Sequence, residues 1–473
     1  MNNYQLSLRK ISRSVLKSDV FLDGIHSVAI GMDNGASLLT TWAYSVEMGQ
    51  EHGINRALFN GVILSVYSLP LLFLDGYRMG QQPQQRNKKK RKKRRLYFML
   101  ISQTFSLFGC SMYACSFSPL LVVFGRMGQG FLTLKFGNFF PVSNEQAKKD
   151  SCYSGASYGF GVVLSSLVIG LSRNLNFQIG GKIRIQYGNL SAVNLIFTLI
   201  VMKLFTVATI NRRRIAKIAS KFYGAKNNYG SYVKHYKVKA KHYKSLQEND
   251  ERKKLTVRAF KVSDKLNWLE KLHLAVTEAT CSREIRKFLY TESLSQFAIS
   301  LSLFVWMILL EQRFGIRSYL SNSVITGTFG VTYMTSNLAV LFGFFPYEKV
   351  LSNSALSLGY PFYFIGTVIF VQFFQTTRIT ATAVGGSCFA LSALLMTAHR
   401  QKHLQVVSKQ NILKKEVQFT EFDFYRTDSI VNSIAVVCAA FMSSYFCQLG
   451  LWSTSGYAIF SLIAVGMFMM KIK

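Results

Sequence analysis

Two charged side chains, Asp33 and Arg126, each lie within a long apolar run of the sequence. An ionised group at the centre of a bilayer costs about 2.5–3.5 kcal/mol on insertion scales, so each demands a partner or a task. Asp33 falls early in its run, about two helical turns from the start. Its carboxyl can bind a coupling proton or cation; it can equally pair with a cation or cap the helix start. Arg126 is about seven residues inside its run, roughly 11 Å at helical rise, which is too deep for easy snorkelling. Its planar guanidinium suits bidentate contact with a carboxylate or phosphate. Lys203, nearer the end of a run, is read as snorkelling to the surface. Glu311 closes another run two residues before Arg313. It is a proton site or outer gate, or an acid simply solvated at the interface.

Uncharged polar residues in the same runs could line a midplane cavity: Tyr67, Tyr333, Asn337 and Asn432. Tyr333 and Asn337 are four apart and share a helix face. The alternative for each is a hydrogen bond to a neighbouring helix. No glycine-rich phosphate loop followed by lysine, HExxH pair or serine nucleophile motif is present, so no enzyme chemistry, metal or cofactor is expected. The seven cysteines form no CxxC pair, and packed thiols are expected rather than a zinc site or disulfide framework.

These side chains need helices to place them. The chain has a formal net charge of +34, yet 49% of its 473 residues are hydrophobic and only 16% charged, against roughly 25% in soluble domains. Nucleic-acid binding would explain the basic balance, but apolar residues packaged in runs of membrane-spanning length exclude it. About twelve such runs can be marked, centred on Ala36, Leu64, Phe105, Gly128, Val162, Thr198, Leu303, Val331, Ile365, Ala390, Ala435 and Leu462. The expected fold class is an all-α polytopic membrane protein of two six-helix bundles. Freely occurring Gly, Ser and Thr in the runs point to helices packed closely on one another.

Loop charge sets orientation. RNKKKRKKRR (Arg86 to Arg95) follows the second run and HRQKHLQVVSKQNILKKE the tenth, whereas CSFSPL after the third and QLGLWSTS after the eleventh carry no charge. Even-numbered loops and both termini are therefore expected in the cytosol. The predicted division is a cytosolic segment over 1–27, a bundle over 28–210, a basic cytosolic loop over 211–290 and a second bundle over 291–473. The central loop holds 21 Lys/Arg against 7 Asp/Glu, and its later part has the spacing of an amphipathic helix. Basic clusters beside the membrane fix topology and attract anionic headgroups. The central loop is also a candidate docking segment for a protein partner.

Six spans, a long cytosolic loop and six more spans resemble the major facilitator superfamily. LPLLFLDGYRMG, at the cytosolic end of the second span, resembles that family's G-x-x-x-D-R/K-x-G-R-R/K loop, with Asp75 and Arg78 as its acid and base and Leu71 where the leading glycine would stand. VVFGRMGQGFLTLKFG resembles the R-x-x-x-G pattern of the fourth span, on Arg126 and Gly130. GMDNGASLLTTWAYSVEMG, FNGVILSVYSLPLLF and SLFVWMILLEQ are similar to the lysosomal and vacuolar group that includes the neuronal ceroid lipofuscinosis membrane transporter. The resemblance implies a secondary transporter of a small polar or anionic solute working by alternating access, with or without coupling to protons. It implies a coupling or gating role for Arg126. Asp75 with Arg78 could gate the cytosolic side, since a carboxylate near a helix end can hold two bundles together in one state and release them in another.

The fifth span has no Gly-Pro pair, a departure that keeps open a non-transporting receptor or complex subunit; an organellar anion channel is a third reading. The resemblance implies an endolysosomal or vacuolar membrane, with the plasma membrane as the alternative. Tyr243-Lys244-Ser245-Leu246 fits an endosomal sorting signal.

Overall fold

The computed structural model describes residues 3–70, 88–114, 118–133, 144–171, 177–179, 183–185, 319–342 and 421–448, with scattered positions over 196–211, 289–304 and 344–391. Seven α-helices are continuous among the described residues: α1 (Asn3–His52), α2 (Arg56–Val66), α3 (Lys88–Ala114), α4 (Pro119–Gly130), α5 (Asn144–Leu171), α6 (Tyr319–Leu341) and α7 (Glu421–Gln448). They contain seven of the expected span centres: Ala36, Leu64, Phe105, Gly128, Val162, Val331 and Ala435. Ile365 and Ala390 are helical where described. Thr198, Leu303 and Leu462 lie outside the described residues, as does nearly all of the central loop.

Local chemistry ends and starts these helices. Gly53 takes a left-handed φ of 66° directly after α1, a conformation that side-chain-bearing residues avoid. Asn55 then caps α2, its Oδ1 accepting from the backbone N–H groups of Ala57 (3.0 Å) and Leu58 (3.2 Å). Pro119 opens α4, where its missing N–H would have had no helical partner.

Two differences from the sequence reading concern the charged segments. The helix α1 is 50 residues long, about 75 Å at helical rise, so the 27/28 boundary falls inside one continuous helix. Lys88–Arg95, expected in a loop, forms the first two turns of α3. Lys and Arg are good helix formers, and a helix can run on past the bilayer once its charged turns reach water. A third difference is a short antiparallel hairpin, β1 (Phe177–Ile179) with β2 (Ile183–Ile185), pairing Phe177 with Ile185. The alternation FQI and IRI around Gly-Gly-Lys is a strand signal that the all-helical reading passed over.

The helices bury polar side chains and expose apolar ones. Asp33, Ser37, Thr40, Thr41, Ser45, Asn60, Gln103, Arg126 and Gln129 are buried. Phe105, Phe108, Leu120, Phe124, Leu167 and Leu171 are exposed. Such an arrangement suits lipid as the outer solvent. Cys152–Leu171 and Ser323–Leu341 are, among the described residues, long and apolar enough to cross a membrane.

Each helix pairing has its own small residues. In α1 on α5, a Cβ on Gly31 would lie 2.0 Å from the Tyr158 carbonyl oxygen, and one on Gly161 would lie 2.1 Å from that of Val28. Backbones this close admit only glycine. Among the described residues, the N-terminal and C-terminal halves meet chiefly through α5 with α6 and α2 with α7, with a smaller contact of α1 on α6. In the first, a Cβ on Gly159 would lie 2.7 Å from Met334 N and 2.8 Å from Gly330 O. In the second, Asn60 Nδ2 donates to Ser444 Oγ at 3.4 Å, and Leu64 packs on Ala440.

Candidate functional site

Asp33 and Arg126 meet. Arg126 projects from the middle of α4 and its Nη1 lies 2.9 Å from Asp33 Oδ1 on α1, with side chains 4% and 3% exposed. The same Nη1 donates to Gln129 Oε1 at 2.7 Å, one turn further along α4. Nη2 donates to Ser37 Oγ. Ser37 lies one turn after Asp33, and its hydroxyl in turn donates to the Asp33 backbone carbonyl at 2.6 Å. The guanidinium carbon sits 4.1 Å from the centroid of the Tyr67 ring, just past α2. This cation–π contact gives the cation a second, uncharged neighbour.

Helical spacing produces this cluster. Asp33 and Ser37 are four apart on one face of α1, and Arg126 and Gln129 three apart on α4. The α3–α4 pairing holds α4 close: a Cβ on Gly125 would lie 2.7 Å from Tyr113 N. Apolar groups close the site at two levels. Tyr44, Met48, Phe59, Ile63, Tyr113 and Val122 form one cluster, and Val122 precedes Arg126 by one turn. Leu22, Ala29, Ile30, Met32, Met99, Cys110, Leu132 and Leu199 form another, reached through Ile30 and Met32 beside Asp33. Water is thereby kept from the pair, and the electrostatics act at low dielectric.

The cluster is incompletely satisfied. Asp33 Oδ2, Arg126 Nε and the Tyr67 hydroxyl are buried without a hydrogen bond of normal geometry. The Tyr67 hydroxyl is nonetheless close enough to interact with Asp33. An acceptor, a donor and a hydroxyl that can be either thus sit together, each costing about 1–3 kcal/mol of desolvation if left unmade. Such a set can take a proton on the carboxylate, or a polar solute atom between carboxylate and guanidinium.

The remaining candidates separate. Tyr333 reaches the cluster at one remove: its ring lies edge-on to Tyr158 of α5, 5.7 Å between centroids, and the Tyr158 hydroxyl accepts from Asn34 Nδ2 at 3.1 Å. Asn337 is buried in the α5–α6 seam, its Nδ2 donating to the Tyr333 carbonyl at 2.8 Å and its side chain packed over Gly155. Asn432 is buried on α7. Asp75, Arg78 and Glu311 lie outside the described residues.

Sequence reasoning missed Gln129, Ser37, Asn34 and Tyr158. Their only signal was position, at i+3 from Arg126, at i+4 and i+1 from Asp33, and among the glycines of α5.

No family model matches the chain, and no curated protein matches it. Among solved structures, the crystal structure of the human organic anion transporter MFSD10 (TETRAN) is similar, with a TM-score of 0.56 at 12% sequence identity over 96% of this chain and 98% of that one. A likeness across nearly both full lengths at so low an identity is a likeness of fold. The chain therefore has the helical, polytopic major facilitator fold that its span pattern and its span-two and span-four motifs resemble, with one short hairpin added.

Proposed function

We propose that this protein is a secondary transporter that moves a small anionic solute by alternating access, with Asp33 and Arg126 as its coupling pair. The observation that carries this reading is the buried Asp33–Arg126 ion pair, held between apolar clusters with an acceptor, a donor and a hydroxyl still unsatisfied beside it. While Asp33 is ionised it occupies the guanidinium. Protonation of Asp33 removes that competitor and leaves Arg126 to a carboxylate or other anionic group of the solute, so proton and anion bind together. The solved structure of similar fold is named as an organic anion transporter, which agrees with a guanidinium at the centre. The seams between halves, α5–α6 and α2–α7 with the smaller α1–α6 contact, are the surfaces on which a rocking motion would turn.

Asp75 with Arg78 belongs to the cytosolic gate in this reading, and Glu311 to the opposite surface. Asn432 completes the polar lining from the C-terminal half. Both termini and the central loop face the cytosol, with the basic segments against anionic headgroups. The membrane is endolysosomal or vacuolar, as the resemblance of the first two spans implies.

The test is uptake of carboxylates into proteoliposomes with and without an imposed pH gradient. Wild-type flux should rise with the inward proton gradient. Asp33→Asn should still bind the anion but move it independently of pH; pH-driven uptake retained in that variant would remove Asp33 from the coupling role.

A further inference from the structure

We infer that the site has a second, aromatic end, made by Tyr158, Tyr333 and Phe329, and that the solute is an organic anion with a flat unsaturated body rather than a compact or saturated one. The inference rests on Asp33 and Arg126 receiving the anionic head. Tyr158 comes from the N-terminal half; Tyr333 and Phe329 come from the C-terminal half. Tyr333 meets Tyr158 edge-on at 5.7 Å and 74°. It lies parallel to Phe329, one turn away on α6, at 6.3 Å and 7°. Aromatic centroids 4.5–7 Å apart in edge-on or offset arrangements are the favoured ring geometries, and an entering ring can extend the same series.

Two observations set these rings apart from ordinary core packing. Tyr158 packs against the buried cluster of Leu22, Met32 and Cys110, and Tyr333 against Tyr158, yet both keep partly accessible surface, as does Tyr67, whereas Phe329 behind them is buried. Rings that are deep and still accessible border internal space. The rings are also continuous with the charged cluster: Asn34, next to Asp33 on α1, donates to the Tyr158 hydroxyl at 3.1 Å. The space therefore has a charged wall from α1 and α4, with Tyr67 beside it, and an aromatic wall from α5 and α6. A carboxylate on a planar ring matches both walls at once. A ring of saturated carbons carries the same charge and similar bulk but has no π face to offer.

The experiment compares benzoate with cyclohexanecarboxylate on the purified full-length protein in lipid nanodiscs and in proteoliposomes, at a pH where both acids are ionised. Binding is read by thermal stabilisation and flux by counterflow. Benzoate should bind about tenfold more tightly than the saturated acid, the scale of one aromatic pair. Tyr333→Leu should remove most of that preference, and Tyr333→Phe, which keeps the ring, should retain it. Equal affinity for the two acids in the wild type overturns the aromatic wall and leaves the anion reading standing. So does a Tyr333→Leu variant that weakens both acids equally. A preference for benzoate without flux upholds the wall and sinks transport. Binding of neither acid to folded protein overturns both.

Discussion

Arg126 reaches Asp33 across 93 positions of sequence, and the two side chains share a single short contact, Nη1 to Oδ1 at 2.9 Å, while Asp33 Oδ2 and Arg126 Nε remain unmatched. A buried pair of this kind is held by its geometry more than by its attraction, because removing two charges from water costs much of what their proximity returns. Breaking it on one side is another matter. Asp33→Ala leaves an uncompensated guanidinium, and a loss of about 3–5 kcal/mol is expected. The double variant Asp33→Ala with Arg126→Met removes both charges and should recover much of that loss. Thermal unfolding in detergent, arranged as a double-mutant cycle, measures the coupling; additive losses would show that the two side chains do not act as a pair.

The Tyr67 ring under the guanidinium separates two roles in one residue. Tyr67→Phe keeps the ring face and removes only a hydroxyl that has no normal hydrogen bond, so stability should change little. Tyr67→Leu removes the face and should cost about 0.5–2 kcal/mol, the range of a cation–π contact from exposed to desolvated. If instead Phe costs as much as Leu, the hydroxyl is the part that matters, and Tyr67 is a hydrogen-bonding partner of Asp33. The same melting assay distinguishes the two.

What could be read from the sequence was which side chains were misplaced in an apolar setting, and not where they go. Asp33 and Arg126 stood out because charge in a spanning run is costly, a one-residue argument needing no partner. Their meeting depends on how α1 and α4 pack, which no spacing in the chain encodes. Gln129 and Ser37 carry no such cost, and so gave no sign until Arg126 was seen to donate to both. The apolar runs located the helices among the described residues, but the loop charge mistook Lys88–Arg95 for loop, because charge reports where water is and says nothing of whether the backbone stays helical there. Tyr333 and Asn337 were singled out together for sharing a face. The structure keeps them in contact, the Asn337 amide donating to the Tyr333 carbonyl and lying over Gly155 while the Tyr333 ring meets Tyr158.

The α5–α6 seam makes a sharp distinction among glycines. Gly159→Ala would put a methyl 2.7 Å from Met334 N and 2.8 Å from Gly330 O, both backbone atoms that cannot rotate away. Gly327→Ala, on the same seam, meets only Ser166 Cβ at 3.7 Å, an ordinary contact. The first should lower the yield of folded protein or its melting temperature markedly, and the second should be nearly silent. Comparable behaviour of the two in size-exclusion profiles would mean that the halves are not held this close.

The α2–α7 seam offers a direct test of motion between the halves. A Cβ on Gly61 would lie 3.3 Å from Ser444 Cβ, slightly inside the roughly 3.5–4.5 Å that a disulfide spans, so a small adjustment should allow a bond. Cys438 is exposed on the same helix and is best replaced by serine first. In that background, Gly61→Cys with Ser444→Cys should cross-link under mild oxidation, tying α2 of one half to α7 of the other. If the halves rock about a central site, the cross-linked protein should bind the anion and fail to complete a transport cycle, and a reductant should restore flux. Full flux in the cross-linked protein would show that these ends never part. The route for the solute would then have to open elsewhere, and the alternating-access reading would lose one of its moving seams.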